Sequence, residues 1–306
     1  MTAVSVSHID KTYGKVHALK DLSFTVDEGE LYGIIGPDGA GKTTLFRILA
    51  TLMRADKGTA EVAGCDVVKD YRKIRNIIGY MPGRFSLYQD LTVEENLKFF
   101  ATVFNTTIQE NYHLIEDIYK QIEPFKHRKA GKLSGGMKQK LALSCALIHK
   151  PEVLFLDEPT TGVDPVSRKE FWGMLLKLKR QGITILVSTP YMDEATLCDR
   201  IALMQEGRFI GTDTPQGIIA HYPDKLLAVQ SDNMHKLLAD LHDYQQVKSS
   251  YSFGETFHVT LRDQSPADEL KAYLKQRGHS DVNIRSIAPS IEDCFMLLSN
   301  KTRHER

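Results

Sequence analysis

Residues 36–43 read Gly-Pro-Asp-Gly-Ala-Gly-Lys-Thr, a complete G-x-x-x-x-G-K-[ST] string. This string leaves the chain few options, because the backbone must curl until successive N–H groups point inward at phosphate oxygens. The apolar run LYGIIG (31–36) precedes it and the helical pattern TTLFRILATLM follows, which is the required strand–loop–helix context. Lys42 is placed to neutralise β- and γ-phosphates, and the Thr43 hydroxyl to bind Mg²⁺. A helix starting near Lys42 adds the positive end of its dipole.

Two further strings belong to the same chemistry. In VLFLDEP (153–159) an apolar strand ends in Asp157, where a carboxylate can hold the Mg²⁺ shell. Glu158 follows and is the candidate general base that orients and deprotonates water. In LSGGMKQ (133–139), Ser134 can cap a helix that starts at Gly135 and Gly136, leaving bare N–H donors aimed outward. Such an end is a second anion site, too far along the chain to serve the phosphates at Lys42.

Apolar runs alternate with helical patterns over the first 222 residues, so a largely parallel sheet buried on both faces is expected, with an antiparallel hairpin at the start. From residue 223 to 306 the order of patterns is β-α-β-β-α-β, which predicts a small ferredoxin-like α+β unit. With 39 basic and 39 acidic side chains the net charge is zero. The pI is near 7.2 and the mean hydropathy −0.28. Neutrality disfavours a nucleic-acid role, and the basic stretch 126–140 lacks interleaved aromatics. No run approaches eighteen apolar residues, the start lacks a secretory layout, and the four cysteines form no C-x-x-C pair. A cytosolic-type chain is expected.

The three strings, in this order, resemble the nucleotide-binding subunit of ABC transporters over roughly residues 3–215. The resemblance implies a P-loop ATPase cassette: a RecA-like core, an antiparallel β subdomain and an α-helical signature subdomain. It implies ATP and Mg²⁺ as ligands. Tyr13 matches the aromatic that stacks on adenine, and Gly36, Asp38, Gly39, Ala40, Gly41, Lys42, Thr43 and Thr44 match the phosphate contacts. Thr43 and Asp157 match the Mg²⁺ ligands, and Glu158 the catalytic carboxylate. Ser134, Gly135, Gly136 and Gln139 match the signature that acts in trans on a second cassette, and Asp164 the loop that crosses the dimer interface. LTVEENLKFF, STPYMDEA and the late PSIEDCFM look most like the ABC-2 exporter branch, in which a small domain after the cassette is common. That implies ABC-2-type permease subunits as partners, docked on Phe85, Leu87 and Tyr88, and a place at the cytoplasmic side of the membrane.

Two positions depart from the family pattern. Gly83 stands where a glutamine that reaches Mg²⁺ and the γ-phosphate is expected. Pro190 stands where a histidine is expected, and proline has neither a side-chain donor nor a backbone N–H. Asp38, where asparagine or serine is usual, adds a carboxylate beside the triphosphate. The loss of one preorganised donor typically costs ~10²–10³ in rate. The expectation is an asymmetric pair with a different ATPase subunit, in which this chain's own site is degenerate and its signature completes the partner's site. The alternatives are a homodimer of low activity, and a soluble ABC ATPase or ATP sensor acting in translation or on nucleic acid.

Overall fold

The computed structural model describes residues 1–262 and 266–304, with 301–304 as backbone only. It opens on the antiparallel pair β1 (Thr2–Tyr13) and β2 (Val16–Asp27). Alternate residues Val4, Val6, Ile9, Leu22, Phe24 and Val26 are buried. A register shift between Val6 and Ile9, with His8 at φ 52°, keeps the apolar side inward across the irregularity. β3 (Leu31–Ile35) is buried at all five positions and feeds α1 (Lys42–Leu49). β4 (Lys57–Val62) and β5 (Cys65–Asp66) complete a four-stranded sheet in the order β2-β1-β4-β5.

After α2 (Tyr71–Ile77) and β6 (Ile78–Met81) come three helices, α3 (Val93–Val103), α4 (Ile108–Tyr119) and α5 (Gly135–Leu147). Thr92 with Glu95, and Thr107 with Glu110, form capping boxes that fix where α3 and α4 begin. β7 (Val153–Asp157), α6 (Pro165–Arg180), β8 (Thr184–Thr189), β9 (Arg200–Gln205) and β10 (Arg208–Asp213) follow. The second sheet has the order β10-β9-β3-β8-β7-β6 and is parallel except for β10. Ile35 pairs with Thr189, and Asp157 with Ser188. The carboxyl ends of β3, β7 and β8 therefore finish side by side, which is where open α/β sheets bind ligands.

The chain divides into two compact units at 215/216. The division falls seven residues before the expected boundary at 222/223, so α7 (Pro215–Ala220), apart from its first residue, goes with the second unit. Within that unit the Cys294 thiol donates to the Ile218 carbonyl at 3.6 Å, tying α7 to a residue far along the chain. The rest of the unit is β11 (Leu226–Gln230), α8 (Met234–Asp243), β12 (Val247–Phe253), β13 (Thr256–Leu261), α9 (Ala267–Gln276), β14 (Asn283–Ile287) and α10 (Ile291–His304). Its sheet order, β12-β13-β11-β14, with every pair antiparallel, is the ferredoxin-like arrangement. Leu227, Val229, Phe257 and Val259 from the sheet meet Leu237, Leu241, Leu270 and Leu274 from α8 and α9. No helix among the described residues is long and apolar enough to cross a membrane.

Candidate nucleotide site

The loop between β3 and α1 depends on its glycines for two different reasons. A Cβ at Gly36 would stand 2.1 Å from the Met204 carbonyl oxygen. Gly41 holds φ 110° at the mouth of α1, and a Cβ there would meet the Ala18 carbonyl oxygen at 2.5 Å. The loop thus presses against β2 and β9 and turns into the helix in a conformation that side chains resist. It forms one wall of a cavity of about 510 Å³ lined by Tyr13, His17, Lys20, Gly39, Gly41, Lys42, Thr43, Thr44, Glu158 and Glu206, among others. Tyr13 is 44% exposed, with its hydroxyl donating to the Met53 sulfur at 2.8 Å. The Lys11 ammonium lies over its ring, 5.9 Å from the centroid. Ala40 is buried and Asp38 exposed, and neither lines the cavity.

The Lys42 ammonium is buried and donates to the carbonyls of Gly36 (2.7 Å) and Pro37 (3.0 Å). It lies 3.1 Å from Glu158 Oε1. A cation held this way is aimed into the cavity, and an incoming phosphate competes with Glu158 for it. Thr43 Oγ1 donates to Asp157 Oδ1 at 3.2 Å, and Ser188 Oγ donates to the same oxygen at 2.8 Å. Burial pushes the Asp157 carboxyl above the usual aspartate range, and the Ser188 and Thr43 hydroxyls pull it back. A hydroxyl beside a carboxylate is the hard-oxygen set that Mg²⁺ takes together with phosphate and water, so the residues fit that ion. Glu158 sits at φ 50°, unusual for a side-chain-bearing residue, and its N–H donates to Ser188 Oγ (3.0 Å) and Ser188 O (3.1 Å). A backbone held in the left-handed region turns the Glu158 side chain out of the strand line and towards Lys42.

Both positions that depart from the family pattern lie at this site. A Cβ on Gly83 would stand 3.0 Å from the Asp157 carbonyl oxygen and 3.7 Å from Glu158 Cβ. Pro190 follows Thr189, whose carbonyl accepts from the Gly36 N–H at 3.2 Å. Beyond Pro190 the segment is organised by Glu194, which is 3% exposed. Its carboxylate accepts from Thr160 (2.9 Å), Thr189 (2.5 Å) and Arg168 (3.1 Å). The Arg168 guanidinium lies 4.0 Å from the Tyr191 ring centroid.

The remaining predicted residues fall into two other places. Ser134 caps α5, accepting weakly from the Met137 N–H at 3.4 Å, and Asp164 caps α6, accepting from the Ser167 N–H at 3.0 Å. These two helix starts touch: a Cβ on Gly136 would meet Ser167 Oγ at 2.7 Å, and one on Gly135 would meet the Gly162 carbonyl at 3.7 Å. Ser134 and Gly135 are exposed. Gln139, the fourth expected signature residue, lies further along α5. It lines a groove of about 370 Å³ with Arg84, Leu87, Phe100, Phe104 and His149. Of the docking candidates, Leu87 lines that groove. Tyr88 is 51% exposed and packs edge-on against Phe99, with ring centroids 4.9 Å apart. Phe85 lies under Lys138, 5.5 Å from its ammonium. His17, Lys20 and Glu206 line the nucleotide cavity without having been singled out from the sequence. They come from β2 and the β9–β10 turn, and only the fold brings them there.

Comparison with known proteins agrees with this geometry. The ABC transporter family model matches residues 19–161. The chain is 38% identical over 283 residues to the probable multidrug ABC transporter ATP-binding protein YbhF of Escherichia coli, covering 91% of this chain and 48% of that protein. It thus spans about half the length of that relative. It is 35% identical over 302 residues to the Nod factor export ATP-binding protein I of Burkholderia lata, covering 97% of each. Among solved structures, CbiO1 from Clostridium perfringens matches with a TM-score of 0.64 at 28% identity, over 72% of this chain and 91% of that one. The dimeric ATP-binding cassette MJ0796, in a post-hydrolysis state bound to ADP and Pi, matches with a TM-score of 0.63 at 27% identity, over 69% and 98%. A phosphate loop, an Asp-Glu strand end and a Ser-Gly-Gly helix start on a mixed α/β cassette place this chain in the family of ABC transporter ATP-binding subunits, the cassettes that bind and hydrolyse ATP.

Proposed function

We propose that this chain is the ATP-binding subunit of an ABC-2-type exporter and works beside a second, different cassette. Relatives named for multidrug and Nod factor export support the export reading. The observation that carries the asymmetric reading is the pairing of two contrasting surfaces. Gly83 and Pro190 flank Asp157, Glu158 and the phosphate loop without supplying a side-chain donor. The Ser134–Gly135 turn, by contrast, is intact and exposed, next to the capped start of α6 at Asp164. ATP would bind in the 510 Å³ cavity with its base on Tyr13 and its phosphates on the loop amides and Lys42. Mg²⁺, held by Thr43 and Asp157, would neutralise charge on the β- and γ-phosphates. Glu158 would orient water, but with no side-chain donor from position 83 or 190 this chain's own site turns over slowly. Ser134 and the α5 amides would complete the partner's site.

The groove lined by Leu87, Phe100 and Phe104 is where a permease's cytoplasmic helix would dock, with the subunit on the cytoplasmic side of the membrane. Copurification from detergent-solubilised membranes tests the whole reading. Recovery of a polytopic membrane protein with a second, different cassette is the expected result. Recovery of the membrane protein with this chain as the sole cassette would favour the homodimer, and recovery of ribosomes or DNA alone would overturn the exporter reading.

A further inference from the structure

We infer that Ser188 is a positioning residue for Asp157, and through it for Mg²⁺ at this chain's cradle; the inference rests on the Mg²⁺ role proposed above. Ser188 lies outside the phosphate loop, the Asp-Glu strand end and the signature. It occupies the register position opposite Asp157 in the neighbouring parallel strand. Its hydroxyl donates to Asp157 Oδ1 at 2.8 Å, while Thr43 donates to the same oxygen at 3.2 Å. Two donors on one oxygen fix the carboxylate's rotation about its last torsion, so the direction of its other oxygen is set before a cation arrives.

Ser188 is 0% and Asp157 1% exposed, so bulk solvent does not compete for this hydrogen bond. The same hydroxyl accepts from the Glu158 N–H at 3.0 Å. That N–H also donates to the Ser188 carbonyl at 3.1 Å. Loss of the hydroxyl therefore leaves the Glu158 amide paired and removes a donor from Asp157 alone. The expected consequence is selective: weaker metal use, with the loop's grip on phosphate intact.

The test is binding of a fluorescent ATP analogue to the full chain, in EDTA and across a Mg²⁺ titration. Ser188→Ala raises the Mg²⁺ concentration for half-maximal effect about tenfold, the size expected for one hydrogen bond to a charged group. Affinity in EDTA stays at the wild-type value, and Ser188→Thr, which keeps the hydroxyl, falls within about twofold of wild type. An unshifted Mg²⁺ curve for Ser188→Ala would overturn the inference. So would an equal loss of affinity in EDTA, which marks general damage to the strand, or a Ser188→Thr curve like that of Ser188→Ala. If the wild type itself shows no Mg²⁺ dependence, the metal reading falls first and the inference with it.

Discussion

The cradle at Lys42 and the turn at Ser134 are both glycine-rich loops at helix starts, yet they are built in opposite ways. The cradle is concave and buried, and its polar groups are paired with one another: Lys42 with Glu158, Thr43 and Ser188 with Asp157. The Ser134 turn is exposed, and its neighbour across the surface is another capped helix start, at Asp164. The cradle can hold a triphosphate using this chain alone. The turn offers donors without a wall to enclose a ligand, which under the proposed function makes it half of a site. The two also differ in completeness, because the departures from the family pattern, Gly83 and Pro190, both fall at the cradle.

This contrast predicts a double dissociation. Ser134→Arg, which fills the turn with a bulky cation, should leave nucleotide binding by the isolated chain unchanged. It should lower ATP turnover by the mixed complex about 10²–10³-fold, the range for loss of a preorganised donor. Lys42→Ala should do the reverse, weakening nucleotide binding by the isolated chain about 100-fold as charge-assisted contacts are lost, while sparing turnover at the partner's site. Calorimetry on the chain alone and phosphate release from the complex read the two arms. Equal damage by Ser134→Arg to both readouts would break the comparison.

A smaller effect probes the far end of the signature helix. His149 Nε2 meets the Ile78 carbonyl at 2.9 Å, and its ring stacks on Phe104 at 3.8 Å. Burial pushes this imidazole below its ordinary 6.5, while the bond to Ile78 opposes the shift. A depressed folded value means that the unfolded chain takes up the proton first as pH falls. The stability contribution is thus present above 6.5 and is lost as pH drops below it. Melting temperature should accordingly fall more steeply for wild type than for His149→Gln over that window, and His149→Gln should cost about 1 kcal/mol at neutral pH. Parallel curves for the two proteins would show that folding does not lower the affinity of His149 for its proton.

What could be read from the sequence was whatever is local. A strand, a glycine loop and a helix announce themselves within a dozen residues, and Asp157 and Ser134 are fixed by the strings around them. The βαββαβ order of the second unit was legible for the same reason. Features set by register or crossing were not. Ser188 matters because it lies opposite Asp157, and no pattern within ITILVST reveals that partner. His17 and Lys20 reach the nucleotide cavity because β2 passes behind Gly41, at 2.5 Å from a would-be Cβ. That Gln139 lines a groove with Leu87 depends likewise on the crossing of α5 with the segment after β6, which no local string shows. The placing of α7 with the second unit, where Ile218 meets Cys294 more than seventy residues along the chain, is equally non-local.

The central claim is that this cassette binds ATP well and hydrolyses it poorly on its own because positions 83 and 190 supply no side-chain donor. Single-turnover hydrolysis by the purified chain, compared with a Gly83→Gln, Pro190→His double variant, tests it directly. A Cβ introduced at position 83 must displace its neighbours by a few tenths of an ångström, since its nearest contact is the Asp157 carbonyl at 3.0 Å. Slow hydrolysis by wild type, and a gain of at least about tenfold in the double variant with ATP affinity unchanged, is the predicted result. Hydrolysis by the wild-type chain alone at the rate of complete cassettes, with no change in the double variant, would contradict it.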